Sequence, residues 1–295
     1  MTPTSRNPAP LGAIGLVFVG LLAQEVGASI AVLIFPSVGP IGMVALRLGF
    51  SAIILLAIFR PSLRGRTRRA WLTALCFGLV IAGMNAVFYL ALERLPLGPT
   101  VTIEVLGPLV LSVVVSRRAS AWLWAVLAFI GVALLGFGDG FALDPIGVLF
   151  AACAGVLWAG YILFSERTGR EFGGLDGLAI AMAFGAIAII PFGIGSAGPG
   201  LFHWQILLLG VGVAVLSSTI PYALELFALR RIPSSTFAIL MSLAPAIAAL
   251  AGVVLLAQHI SIVGVIAIAL VVTASIGAVR SARPGSTPVA RADVV

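Results

Sequence analysis

The sequence predicts an all-α polytopic membrane protein, with ten transmembrane helices arranged as two inverted five-helix repeats. Three observations predict it. The composition is too apolar for a soluble surface, ten apolar runs have membrane-spanning length, and a proline-marked segment recurs 137 residues further on.

Of 295 residues, 61% are hydrophobic and 9% charged, and the mean hydropathy is +1.21. A soluble domain carries roughly 25% charged residues to wet its surface. Most of this surface must therefore face lipid. All 17 basic residues are arginine and the net charge is +7. They fall in short clusters between apolar runs, not interleaved with aromatics on one face, so nucleic acid is not an expected partner. Cys76 and Cys153 lie inside apolar runs without CxxC or Cys/His spacing. They imply neither a disulfide framework nor a zinc site and are expected to pack as small residues.

Helices need about 20 apolar residues to cross the hydrocarbon core. The runs that qualify are Leu11–Ile34, Pro40–Phe59, Trp71–Leu92, Leu97–Val115, Ala121–Gly138, Pro145–Ser165, Leu175–Gly195, Trp204–Phe227, Ser234–Ala257 and Ile260–Val279. None alternates with the period of a β-barrel strand. The first apolar stretch, Leu11–Phe35, exceeds the core of a cleavable signal and is expected to remain as a span. The polar tails, residues 1–10 and 280–295, are expected to be disordered and cytoplasmic.

With ten spans, both termini and the even-to-odd loops share one side. That side collects fifteen arginines, among them Arg60, Arg64, Arg66, Arg117, Arg118, Arg230 and Arg231, against Arg94 on the other. The positive-inside rule then places both termini in the cytoplasm.

The repeat pairs Tyr89–Pro108 with Leu226–Pro245. Six of the twenty aligned positions are identical, including Pro96/Pro233 and Pro108/Pro245. Residues 11–138 and 145–279 then form two units of five spans each. An odd number inverts the second unit relative to the first, a plan found in secondary transporters whose substrate sits between the halves.

Four ionisable residues fall within the expected spans: Glu25, Arg47, Glu104 and Glu225. Each costs about 2.5–3.5 kcal/mol at the bilayer centre, so they are expected to face the interior, pair with one another and mark a pathway. Arg47 presents a permanently charged fork suited to a carboxylate, from a substrate or from an internal glutamate. Glu104 lies four residues before Pro108, which cannot donate to the Glu104 carbonyl, so polarity concentrates at that level. It is a candidate for substrate binding or proton handling, with a structural pair as the alternative. Glu25 is a candidate proton carrier or a buried hydrogen-bonding group. Glu225 either joins them or reaches toward Arg230 and Arg231.

Among uncharged residues, Asn85, Tyr89, Trp158, Tyr161 and Tyr222 could line a binding cavity or simply pack. Asn85 and Tyr222 occupy equivalent repeat positions. His203 and His259 sit at span ends without acidic partners in sequence, so no metal is expected. No HExxH, GxSxG or phosphate-loop pattern occurs. Nothing in the residues calls for a cofactor, and no Ser/His or paired-Asp arrangement within the spans supports an enzyme.

The segments from Gly27, GASIAVLIFPSVGPIGMVALRLG, from Gly83, GMNAVFYLALERLPLGPTVTIEVLGPL, around Tyr161, LWAGYIL, and from Leu216, LSSTIPYALELFALRRIPSSTFAILMSLAPA, resemble the drug/metabolite transporter superfamily with two EamA-type repeats. Within it they are most similar to bacterial exporters of threonine and homoserine. The resemblance spans nearly the whole chain. It implies a proton-driven inner-membrane exporter of small amino acids, and it carries over Arg47, Glu104 and Glu225 as charges at matching positions. Glu25 departs from the family pattern, where a neutral amide is expected.

The residues themselves fit a zwitterion, which needs a cation for its carboxylate and an anion for its ammonium. Three glutamates to one arginine also suit another metabolite or a cationic toxic compound. A membrane assembly subunit without transport activity is the alternative from a different class, and buried charges and inverted repeats count against it. The expected partners are a small-molecule substrate, protons and the lipid bilayer.

Overall fold

The structure is a computed structural model that describes residues 11–116, 119–135, 143–172, 175–229, 231–232 and 234–281. Among these residues every regular element is helical. The expected tails, except Arg280 and Ser281, lie outside the described residues, as do Arg117, Arg118, Arg230 and the end of the fifth expected span. Arg280 and Ser281 close the last helix instead of beginning a tail.

The first helix, α1, runs Leu11–Phe59 and merges the first two expected spans. At 1.5 Å per residue it would measure roughly 70 Å, over twice the hydrocarbon core. It breaks at Gly39, whose φ of 67° and ψ of 169° leave the helical region. Glycine reaches that conformation without a Cβ penalty, and the following Pro40 disfavours a helical ψ at the residue before it. The helix α2, Arg68–Leu92, starts where the Thr67 hydroxyl accepts from the Ala70 amide. The preceding loop is tied down by Arg66, which donates to the Glu171 carbonyl at 3.0 Å and stacks over the Phe172 ring.

The fourth expected span is divided into α3, Leu97–Glu104, and α4, Leu106–Ser116. Pro108 has no N–H for the Glu104 carbonyl, so the helical ladder is interrupted there. The same happens 137 residues later, where α10, Ser234–Met241, stops before Pro245 and α11, Ala244–Leu256, follows. Between these pairs lie α5, Ala119–Leu135, α6, Pro145–Phe172, and α7, Asp176–Ala197. A short 3-10 turn, Gly198–Phe202, leads to α8, Trp204–Ala214, and a π-helical turn, Val215–Thr219, joins α8 to α9, Ile220–Leu229. The last helix, α12, is Ile262–Ser281.

Eight helical segments among the described residues are long and apolar enough to cross a membrane, with Leu11–Phe59 counted once; Trp122–Leu135 is apolar but shorter. The bundle places α1 against α7 and α9, α2 against α6 and α7, α3 against α11, and α5 against α12. Its core is apolar, with Met43, Leu48, Phe77 and Ile81 almost fully buried. Its outside is apolar too: Leu123, Val156, Phe192 and Ile262 all point outward. A surface of that kind is stable against acyl chains and not against water. Cys76 and Cys153 belong to this outer face, which corrects the expectation that they pack inside. In both helices the apolar signal runs all round the axis, so sequence periodicity could not assign their direction.

A close backbone approach lies at the α3–α4 break. A Cβ on Gly107 would overlap the Gly155 carbonyl, and a Cβ on Gly155 would lie 2.6 Å from the Glu104 carbonyl oxygen. Two glycines facing each other let α6 press against the interrupted turn.

Candidate functional site

One cavity of about 120 Å³ collects the buried charges. A single water needs roughly 10–15 Å³, so the space suits a small solute. Glu25 and Arg47 enter it from the two arms of α1, and Glu104 comes from the end of α3. Glu225 enters from α9 and stands on the cavity wall. Asn85 from α2, Trp158 and Tyr161 from α6, and Tyr222 from α9 complete the polar and aromatic lining. The structure thus brings eight of the nine sequence-predicted residues to one space.

The ninth, Tyr89, is fully buried behind the wall and acts on Arg47 instead. Arg47 Nη1 donates to the Tyr89 hydroxyl at 3.2 Å, and the guanidinium carbon lies 5.6 Å from the Tyr89 ring centroid. Arg47 Nη2 donates to the Ser217 carbonyl at 3.0 Å, and Nε reaches the Ser218 hydroxyl at 3.4 Å. Every partner is neutral. No carboxylate forms an ion pair with Arg47 among the described residues, so its charge is oriented but not neutralised.

Sequence reading missed Ser217 and Ser218. In an α-helix the Ser217 carbonyl would accept from the amide four residues on, but that residue is Pro221, which has none. The chain relaxes into the π turn Val215–Thr219, closed by Ile220 N–H to the Val215 carbonyl. Such turns recur at functional sites because they release backbone groups. The signal was present: Pro221 stands to Ser217 as Pro108 stands to Glu104.

The carboxylates are equally unspent. Glu25 is 2% exposed and its Oε2 has no hydrogen-bond partner among the described residues. Its backbone carbonyl accepts from Ser29 at 2.9 Å, a bond within the helix that does not involve the side chain. No ion pair engages Glu104 or Glu225 among the described residues either. A cation held by neutral dipoles, in one cavity with three carboxyl groups that form no ion pair among the described residues, can receive a ligand of mixed charge.

A larger space, about 490 Å³, lies at the end of the bundle formed by Pro96, Gly98, Gln258 and His259. Its charges are already satisfied. Arg94 pairs with Asp144 at 3.0 Å, and Asp144 Oδ1 also accepts from the Ile146 amide. The Arg94 hydrogen bond, then that amide bond, hold the Asp144 carboxyl below its usual range. Gln258 Oε1 accepts from Leu97 N–H at 3.0 Å, joining the start of α3 to the turn before α12. This region ties the helix ends together, and the smaller central cavity is the better site because unsatisfied charges converge there.

The EamA-like transporter family model matches residues 145–280. The threonine/homoserine exporter RhtA of Salmonella typhimurium strain SL1344 is 38% identical over 270 residues, covering 91% of this chain and 91% of the relative. The chain belongs to the EamA-like transporter family. RhtA of Escherichia coli strain K12 is also 38% identical, over 275 residues, covering 92% and 93% of the two chains. A solved crystal structure 22% identical in sequence superposes with a TM-score of 0.62, covering 92% of this chain and 98% of that one, and so shares the fold.

For an EamA-like transporter, a multi-pass membrane protein, the central charges acquire a simple reading. They line an internal cavity of the bundle, where the cost of exposing charge to lipid is avoided.

Proposed function

We propose that this protein exports small amino acids of the threonine and homoserine kind from the bacterial cytoplasm by proton antiport with alternating access. One observation carries the reading: Arg47, oriented by neutral acceptors alone, shares a cavity with Glu25, Glu104 and Glu225. Arg47 binds the substrate carboxylate and Glu104 its ammonium. Protonation of Glu25 or Glu104 couples the cycle, and Glu225 is the further proton-handling candidate. The 38% identity to threonine/homoserine exporters supports the substrate class.

Two five-helix repeats, residues 11–138 and 145–279, inverted in the inner membrane with both termini cytoplasmic, account for the symmetry of the cavity. Gln24 and Tyr161, Asn85 and Tyr222, Phe88 and Glu225, and Glu104 and Met241 all line it, each pair 137 residues apart. Helix ends support the same offset: α2 and α9 stop at Leu92 and Leu229, and α3 and α10 span Leu97–Glu104 and Ser234–Met241. With Gly39 taken as the turn between the first two spans and Trp122–Leu135 as the fifth, the count is ten.

The test is efflux of preloaded threonine and homoserine from proteoliposomes with and without an imposed proton gradient, comparing wild type with Arg47→Ala. Gradient-dependent efflux that the variant loses supports the reading. Absence of efflux from inserted wild type overturns it. The three-to-one excess of carboxylates over guanidinium then favours a cationic substrate, and screening moves to cations.

A further inference from the structure

Asn85 is the neutral amide whose orientation the fold fixes. It is 6% exposed, lies on α2 among the apolar cavity residues Met84 and Phe88, and donates through Nδ2 to the Ile81 carbonyl at 2.9 Å. A carbonyl only accepts, so this bond settles which end of the carboxamide is nitrogen. The Oδ1 oxygen and the second N–H are left without a protein partner among the described residues. Gln24, the other amide on the wall, makes no comparable bond there, so nothing fixes its rotation.

An acceptor and a donor on one buried group match a ligand group that both donates and accepts. A hydroxyl does so; an ammonium only donates, a carboxylate only accepts, and a methyl does neither. The position fits as well. Asn85 and Tyr89 are four residues apart on α2, about 6 Å along the axis, and the Tyr89 hydroxyl holds Arg47. A small amino acid whose carboxylate rests on Arg47 therefore carries its side chain within reach of Asn85.

We infer that Asn85 is the specificity-determining residue that selects amino acids with a side-chain hydroxyl over their apolar isosteres. The inference rests on the amino-acid reading of the cavity given above. Valine is the informative competitor because it replaces the threonine hydroxyl with a methyl group of similar size. Seating valine leaves the Asn85 oxygen dehydrated and unpaired, a penalty that corresponds to about tenfold or more in affinity.

The experiment is counterflow of labelled threonine into proteoliposomes with unlabelled threonine, homoserine or valine as competitor, using wild type, Asn85→Leu and Asn85→Ser. Wild type should prefer threonine to valine by about tenfold or more. Asn85→Leu should lose that preference by weakening threonine and improving valine. Asn85→Ser, which restores a hydroxyl, should recover part of it and also reports should the leucine variant fail to fold. A wild type indifferent to the hydroxyl, or a preference unchanged in both variants, overturns the inference and leaves the amino-acid reading standing. No counterflow of threonine or homoserine by inserted wild type overturns both.

Discussion

Arg47 Nη1 and the Tyr89 hydroxyl lie 3.2 Å apart, a contact that joins the second arm of α1 to α2 and aims a buried cation without discharging it. A glutamate in place of Tyr89 would neutralise the guanidinium and leave it little attraction for a substrate. The planar fork matters as much as the charge. Ser217, Ser218 and Tyr89 are reached by three different nitrogens.

Arg47→Lys should therefore behave as a severe change despite keeping the charge. A single ammonium on a flexible stem does not reproduce a planar fork. The KM for threonine efflux should rise about tenfold or more, taking ~1.5–3 kcal/mol for a hydrogen bond to a charged group. Tyr89→Phe keeps the ring beneath the guanidinium and should raise KM by a smaller factor. Equal KM values for all three proteins would remove this contact from substrate binding.

Glu104→Gln conserves volume and hydrogen-bonding capacity while deleting the charge. Export should be abolished in protein that still inserts and elutes as wild type does. Efflux at the wild-type rate would place the ammonium contact and the coupling proton elsewhere among the glutamates.

Gly107→Ala should lower thermal stability in detergent, because its new methyl overlaps the Gly155 carbonyl and overpacking costs about 1–3 kcal/mol. Gly15→Ala is the control, since its Cβ meets nothing within 4 Å. The melting midpoint should fall by several degrees in the first variant and stay in place in the second. Matching midpoints would mean that the α4–α6 contact is looser than described.

Asp144 gives a pH dependence outside the spans. Its carboxyl is held low first by the Arg94 hydrogen bond, then by the Ile146 amide. A lowered value in the folded state stabilises above the ordinary aspartate range near ~3.9, and that contribution fades as pH falls through the folded value. Asp144 also caps α6, accepting from the Ile146 and Gly147 amides. At neutral pH, Asp144→Asn should preserve slow exchange of those two amides, because asparagine caps well. Asp144→Ala should speed it, and acidification of wild type below the aspartate range should weaken protection in the same place. Identical exchange in all three proteins would show that the cap does not hold α6.

The apolar surface, the helical class and the buried charges were legible in the chain because each follows from local composition or from the cost of charge in lipid. Pro108 and Pro245 announced the two interrupted helices, since a missing N–H acts only four residues away. The junction at Gly39 was legible as a boundary because a glycine followed by proline interrupts a helix locally. The outward direction of Cys76 and Cys153 was hidden because their helices are apolar on every side, so periodicity carries no information there.

Sequence alone determined which residues are too costly to face lipid: Glu25, Arg47, Glu104 and Glu225. Tertiary structure alone decided that they meet in one cavity, that Arg47 rests on Tyr89, Ser217 and Ser218 instead of on a glutamate, and that Asn85 turns its nitrogen to Ile81. The physical reason is range. Burial cost and a missing amide are properties of a residue and its own helical turn, whereas the seating of Arg47 on a serine 171 residues away depends on how separate helices pack.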